Sequence, residues 1–210
     1  MITAIADVLR HNGGLATTAQ LLTVITRQQL DVQVANGGLV RVWHGVYARG
    51  EPDLVRKLAA LDIVTGRETV ASMGTAAALY GFDTENTTAI HILDPGVGTR
   101  STTGLVVHQW VGAPTRLVAS RLATAPAWTA VEVARQLRRP RALATLDAAL
   151  RSRWCTADEL GRAVRDQRGR RGIAAVRGLL PFADGRAESA MESEARLVMI
   201  DQIGRASCRE

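Results

Sequence analysis

Apolar residues at Ile2, Ile5, Ala6 and Leu9 fall on one face at helical spacing, and Asn12-Gly13-Gly14 stops that first run at His11. Leu15-Ala16 reads as a short extended piece. Thr17 or Thr18 then caps a second helix carrying Leu21, Leu22 and Ile25. Thr26 is a good N-cap for a third helix over Arg27 to Asn36, ended by Gly37 or Gly38. Leu39-Val40-Arg41-Val42 and Val46-Tyr47-Ala48-Arg49 are β-prone runs joined through Trp43-His44-Gly45. Helix, turn, helix and hairpin in this order form the outline of a winged helix-turn-helix.

In the third helix Leu30 and Val34 lie four apart and face inward, which turns Gln28, Gln29, Val32 and Ala35 away from the core, with Arg27 and Gln33 flanking the buried stripe. A recognition helix offers its N-terminal residues to base edges in the major groove. Arginine pairs bidentately with guanine and glutamine with adenine, so Arg27-Gln28-Gln29 is a chemically apt tip. The same residue types also suit any solvated helix face. Arg41, His44 and Arg49 surround the hairpin, placed to follow phosphates or enter a minor groove. Trp43 and Tyr47 fit packing better than base stacking, and His44 has no partner for a metal role. Thr26, Arg27, Gln28, Gln29, Gln33, Arg41, His44 and Arg49 are therefore the candidate DNA-contact residues.

Beyond the hairpin, Asp53 to Thr65 reads as a helix with Leu54, Leu58, Leu61 and Ile63 as its apolar positions, and Ser72 to Tyr80 as another closed by Gly81. Gly74 and Ala76 to Ala78 permit close helix packing, and the glycine pattern of a phosphate-binding loop is absent. Thr88 to Leu93 and Gly104 to Trp110 read as partner strands, which makes His91 and His108 neighbours without a nearby nucleophile or acidic ligand pattern. Helices follow at Thr129 to Leu137, ended by Arg138-Arg139-Pro140, and at Arg141 to Leu150; Thr156 caps a third through a Thr156-Glu159 capping box. Arg162, Arg165, Arg168, Arg170, Arg171 and Arg177 make the densest basic run, either a second phosphate-contact surface or a solvated arginine-rich helix and loop.

Charge adds a partner class. The 210 residues carry a formal charge of +6 and 47% hydrophobic residues, and the charge favours a polyanionic partner, nucleic acid, over a merely well-solvated basic surface. Lys57 is the only lysine, and the Ala, Val and Arg usage matches a G+C-rich genome. Part of the arginine count therefore reflects codon supply. Arginine still binds phosphate and guanine edges better than lysine. No apolar run reaches the length of a membrane span, and the N-terminus lacks a secretory pattern, so a cytoplasmic protein with no membrane partner is expected. Cys155 and Cys208 match neither a disulfide framework nor a zinc site, and no cofactor is expected.

Thr26-Arg27-Gln28-Gln29-Leu30, Gly37, Leu39 and the block Arg41-Val42 to Gly45-Val46-Tyr47 resemble the N-terminal winged helix of the AbiEi family, antitoxins of type IV toxin–antitoxin systems. Residues about 53 to 150 resemble the α+β middle region of the same proteins, with Trp128 standing where relatives tend to carry arginine. The resemblance implies duplex DNA as partner and a nucleotidyltransferase-like toxin opposed without a tight complex. Gly185 to Arg196 with Leu197 to Gln202 resembles the opening helix of a DUF559 domain, which is similar to very-short-patch-repair endonucleases of the PD-(D/E)XK fold. By position Glu192 matches that helix glutamate, but the downstream carboxylates and the lysine or histidine are missing. One carboxylate cannot position a metal and a water, so the chain is expected not to cleave DNA. Residues 203–210, Ile-Gly-Arg-Ala-Ser-Cys-Arg-Glu, read as a translated sequencing adapter and are expected to be a non-native tail.

The expected fold is α+β: a winged helix-turn-helix over residues 1–50, a mixed α+β middle domain over 51–150, an arginine-rich helical linker over 151–184 and the start of a truncated nuclease-like domain over 185–202. The expected function is a non-enzymatic, DNA-binding, antitoxin-like transcriptional regulator. The alternative is a truncated DUF559 endonuclease using the winged helix as a targeting module.

Overall fold

The computed structural model describes residues 2–82, 88–109 and 112–207; Trp110 and Cys208, both named above, lie outside them. The chain divides into two compact units, Met1–Thr69 with Pro95–Thr99, and Val70–Asp94 with Arg100–Glu210. The class is mixed α+β, with small sheets and a helical C-terminal part.

The first unit runs α1 (Ile2–His11), β1 (Leu15–Thr17), α2 (Thr18–Leu22), α3 (Arg27–Ala35), β2 (Val40–Trp43), β3 (Val46–Ala48) and α4 (Leu54–Thr65). Its three strands form one antiparallel sheet in the order β1-β3-β2. Ile5, Leu9, Ala16, Leu21, Ile25, Leu30, Leu39 and Tyr47 form the core, with Val8 and Val34 packed against it. The inward pair expected on α3, Leu30 and Val34, is therefore seated in that core. A second cluster joins Leu15, Val46, Ala48 and Ala60, covered by Val42, Trp43 and Ala59.

Three expectations are corrected here. Leu22 is exposed, because α2 lasts only five residues and the chain turns at Thr23; Ile25, in the turn beyond, supplies the buried side chain instead. Ile63 is exposed as well: two positions beyond Leu61 it is rotated by about 200° off the buried stripe. Trp43 belongs to β2 rather than to the turn, opposite Val46 across an irregular register, and its indole donates to the Lys57 carbonyl oxygen at 2.8 Å.

The second unit contains α5 (Met73–Tyr80), β4 (Ile90–Leu93), β5 (Leu105–His108), β6 (Thr115–Val118), β7 (Arg121–Thr124), α6 (Pro126–Ala134), α7 (Arg139–Arg151), α8 (Ala157–Asp166), α9 (Ile173–Leu179) and α10 (Ala190–Ser207). β4 and β5 pair in parallel, β6 and β7 antiparallel. The extended residues Val70 to Ser72 join the two pairs. Leu93 N donates to Val70 O and Ser72 N to His91 O on one side, while Ala71 N donates to Leu122 O and Thr124 N to Ala71 O on the other.

The β6–β7 hairpin is absent from the sequence expectation. Its turn uses Ala119 and Ser120, both at positive φ, a backbone normally signalled by Asn-Gly or Asp-Gly. Two helix starts also move: α6 begins at Pro126, with proline in its first turn, and α7 takes Pro140 into its own first turn instead of starting after it.

α6 and α7 supply the buried helix pair, with Trp128, Val131, Leu143 and Leu146 in the interior. α10 lies against α7, with Leu197 and Ser193 buried. Arg196, which could have paired along its own helix with Glu192, instead crosses to the buried Asp147 carboxylate and donates to Phe182 O at 2.8 Å. Glu192 remains exposed and accepts from Glu188 N at 2.8 Å, at the start of the helix.

Gly172 is the tightest backbone approach in this unit. Its φ is +83°, and a Cβ there would overlap the Arg135 carbonyl oxygen. Gly172→Ala is expected to lower stability by about 1–3 kcal/mol through strain and displacement of the α6 terminus. Chemical denaturation is the measurement, and an alanine variant as stable as the parent would contradict this tightness.

Candidate nucleic-acid interface

α3 is started by a capping box. Thr26 Oγ1 accepts from Gln29 N at 3.2 Å, and Gln29 Oε1 accepts from Thr26 N at 2.9 Å. The reciprocal bonds satisfy two orphan amides and fix the rotation of the first turn. They also engage part of the candidate set: the Thr26 hydroxyl oxygen and the Gln29 carbonyl oxygen are bound to backbone, leaving the hydroxyl proton and the Gln29 amide protons facing out. Arg27 and Gln28 are exposed at the tip. Gln33 sits further back and half-buried, its side chain folded over Gly38, where a Cβ would run into Gln33 Oε1.

The outward face continues with Val32 and Ala35, as expected, and with Asp31, which was not anticipated. Its position one turn beyond Arg27 was the available signal. An aspartate there repels phosphate but accepts from cytosine N4.

The hairpin is held to the start of α2 by its turn. Thr18 N donates to Gly45 O at 2.9 Å, and Gly45 has a φ of +77°, which suits glycine. His44, Arg41 and Arg49 are all exposed, and the Arg41 guanidinium lies over the Tyr47 ring at 5.8 Å from its centroid. Tyr47 is buried in the core and Trp43 is tied to the Lys57 carbonyl, so both are packing residues. The unit thus presents one polar helix tip and a hairpin with two exposed arginines.

Chemistry elsewhere is sparse. His91 and His108 are neighbours as expected, with Nδ1 and Nε2 2.9 Å apart and rings stacked at 5.2 Å. Among the described residues no three His, Cys, Asp or Glu side chains gather as a metal site. Burial holds both imidazoles below their usual range, and His108 is lowered further by His91 and by Arg135. The sign follows from linkage: the unfolded chain takes up protons near pH 6.5 while the folded pair resists them, so the stability they give is present above that pH and lost as pH falls below it. Unfolding midpoints measured across this range should fall on acidification, and His91→Asn should flatten the slope. Cys155 is buried, its thiol pushed up to about 12 by burial and then by Glu159.

No helix among the described residues is long and apolar enough to cross a membrane.

Two uncharacterized proteins of Mycobacterium tuberculosis, MT2308 of strain CDC 1551 / Oshkosh and Rv2248 of strain ATCC 25618 / H37Rv, are each 76% identical over 177 residues, covering 84% of this chain. The match spans 65% of the length of each relative. A crystal structure of the RV2827C protein from Mycobacterium tuberculosis shares the fold with a TM-score of 0.59 at 16% identity, over 93% of this chain and 80% of that one. The family model of the AbiEi antitoxin C-terminal domain matches residues 69–182, more than half of the chain, and the protein belongs to the AbiEi antitoxin family.

Proposed function

We propose that this protein is an antitoxin-like transcriptional regulator of a type IV toxin–antitoxin pair that reads duplex DNA through α3 and steadies itself on the backbone through the β2–β3 hairpin. The observation that carries the reading is the tip of α3, where a capping box rigidifies the helix start while Arg27 and Gln28 stay exposed. Arg27 suits guanine O6 and N7, and Gln28 suits adenine N6 and N7. Val32, exposed in the middle of the same face, suits a thymine methyl group. Arg41, His44 and Arg49 would meet phosphate or minor groove, and Thr26, Gln29 and Gln33 would contribute secondary contacts. By family, the opposed toxin would be nucleotidyltransferase-like.

The test is binding to the protein's own promoter region against random duplex at several salt concentrations. Affinity should fall with salt by a logarithmic slope near ~0.9 per neutralised phosphate. Alanine at Arg27 or Gln28 should erode promoter preference by about 1–3 kcal/mol, whereas alanine at Arg41 or Arg49 should weaken both duplexes alike. Equal affinity for promoter and random DNA would sink the regulator reading.

A further inference from the structure

A further feature belongs to the C-terminal unit, apart in sequence from the proposed DNA-contact residues. Arg135 ends α6, and Arg171 lies in the loop between α8 and α9. The two are brought together because Gly172, lacking a side chain, packs directly on the Arg135 carbonyl. Arg135 Nη1 donates to Arg171 O at 3.3 Å, its Nη2 stands 3.8 Å from Glu132 Oε1, and its buried Nε has no hydrogen-bond partner. Glu132 is shared: Arg170 reaches the same Oε1 at 3.3 Å while lying over the Trp128 ring at 4.7 Å. Three guanidiniums against one carboxylate leave a formal excess of two positive charges among these residues. A cleft of about 390 Å³ opens beside them, lined among the described residues by Arg135, Gln136 and Arg171.

The contrast with the neighbouring concavity is informative. A cleft of about 310 Å³ beside Trp128 and Trp154 carries Arg116 and Arg162 against Glu159 and Asp166, so its formal charges cancel. In the Arg135 cleft they do not. Arg135 keeps only 16% of its side chain exposed, its Nε is unpartnered, and its one carboxylate partner is shared with Arg170, so its charge is balanced only in part.

We propose that this cleft binds a phosphate dianion carried by a small molecule, with Arg135 and Arg171 as its ligands and the Gln136 amide as a further donor. A dianion matches the excess charge, and paired N–H groups of a guanidinium match phosphate oxygens. The concavity favours a terminal or free phosphate over a duplex backbone. Neutralising Arg135 in this way also acts on His108, whose imidazole feels that guanidinium.

The experiment is calorimetric titration of the full chain with inorganic phosphate, pyrophosphate and adenosine monophosphate, alongside a short duplex lacking terminal phosphates. At least one of the three phosphate probes should bind. Free phosphate binding as well as the nucleotide identifies the anion alone as ligand, and tighter nucleotide binding identifies a phosphate ester. Arg171→Gln, at an exposed position, should weaken that probe by about tenfold, the value of one charge-assisted hydrogen bond, while leaving thermal unfolding and promoter binding unchanged. Arg135→Gln should weaken it further. By NMR, the probe should move the titration midpoint of His108 upward in the parent and not in Arg171→Gln. Absence of binding by all three probes, equal binding by parent and Arg171→Gln, or displacement of the probe only by the duplex would each overturn the proposal.

Discussion

Asp147→Ala is expected to remove about 3–5 kcal/mol from the C-terminal unit, the range for breaking a buried ion pair from one side. Asp147 is fully buried, holds the Arg196 guanidinium, and accepts from Asp184 N at 2.8 Å. Deleting it strands a guanidinium that is only 27% exposed, together with the Asp184 amide. Asp147→Asn retains an acceptor for that amide and should fall between. Denaturant unfolding monitored by helix content measures the effect. A loss below about 1 kcal/mol would place the pair with ordinary surface bridges. The flanking pairs Arg139–Asp201 and Arg141–Glu194 are more open to solvent and should contribute less on removal of Glu194.

Leu30→Ala should cost about 2–5 kcal/mol in the N-terminal unit. Leu30 is 1% exposed in the cluster that joins α1, β1, α2, α3 and β3, so truncation leaves a cavity beneath the helix proposed to enter DNA. Duplex binding should fall with it. Val32→Ala, two positions along on the exposed face, is the matching control. It should leave stability within about 0.5 kcal/mol yet change preference at a thymine-bearing position. If both variants lost DNA binding and stability in parallel, α3 would be a structural helix and not a reading one.

The N-terminal architecture was legible because its signals are local. Thr26 is readable as an N-cap, Leu30 with Val34 declares an inward face within one turn, and in the C-terminal unit the Thr156–Glu159 capping box announces a helix start in the same way. What stayed hidden depends on distant partners or unusual backbone. Ala119 and Ser120 turn a hairpin without a turn-forming sequence. Asp147 and Arg196 lie 49 residues apart and only the packing of α10 on α7 pairs them. Arg171 stood out only as one member of a basic run, and its partner Arg135 lies 36 residues away, brought to it where Gly172 packs on the Arg135 carbonyl. Of the interface, the residues could be nominated from sequence but not ranked. The capping bonds of Gln29 and the folding of Gln33 over Gly38 separate them from Arg27 and Gln28.

That ranking limits how much information α3 would carry as the reading helix proposed above. The bond that anchors the first turn occupies the carbonyl oxygen of Gln29, half of the fork with which a glutamine grips adenine. Three exposed polar side chains, Arg27, Gln28 and Asp31, specify on the order of three base pairs, whereas singling out one address among ~10⁶ competitors requires roughly ten. The proposed regulator, with so short a vocabulary, would gain its selectivity by repetition, through several copies on adjacent half-sites, or from the deformability of the operator itself. Its binding isotherm on a natural promoter should therefore be steeper than on an isolated half-site.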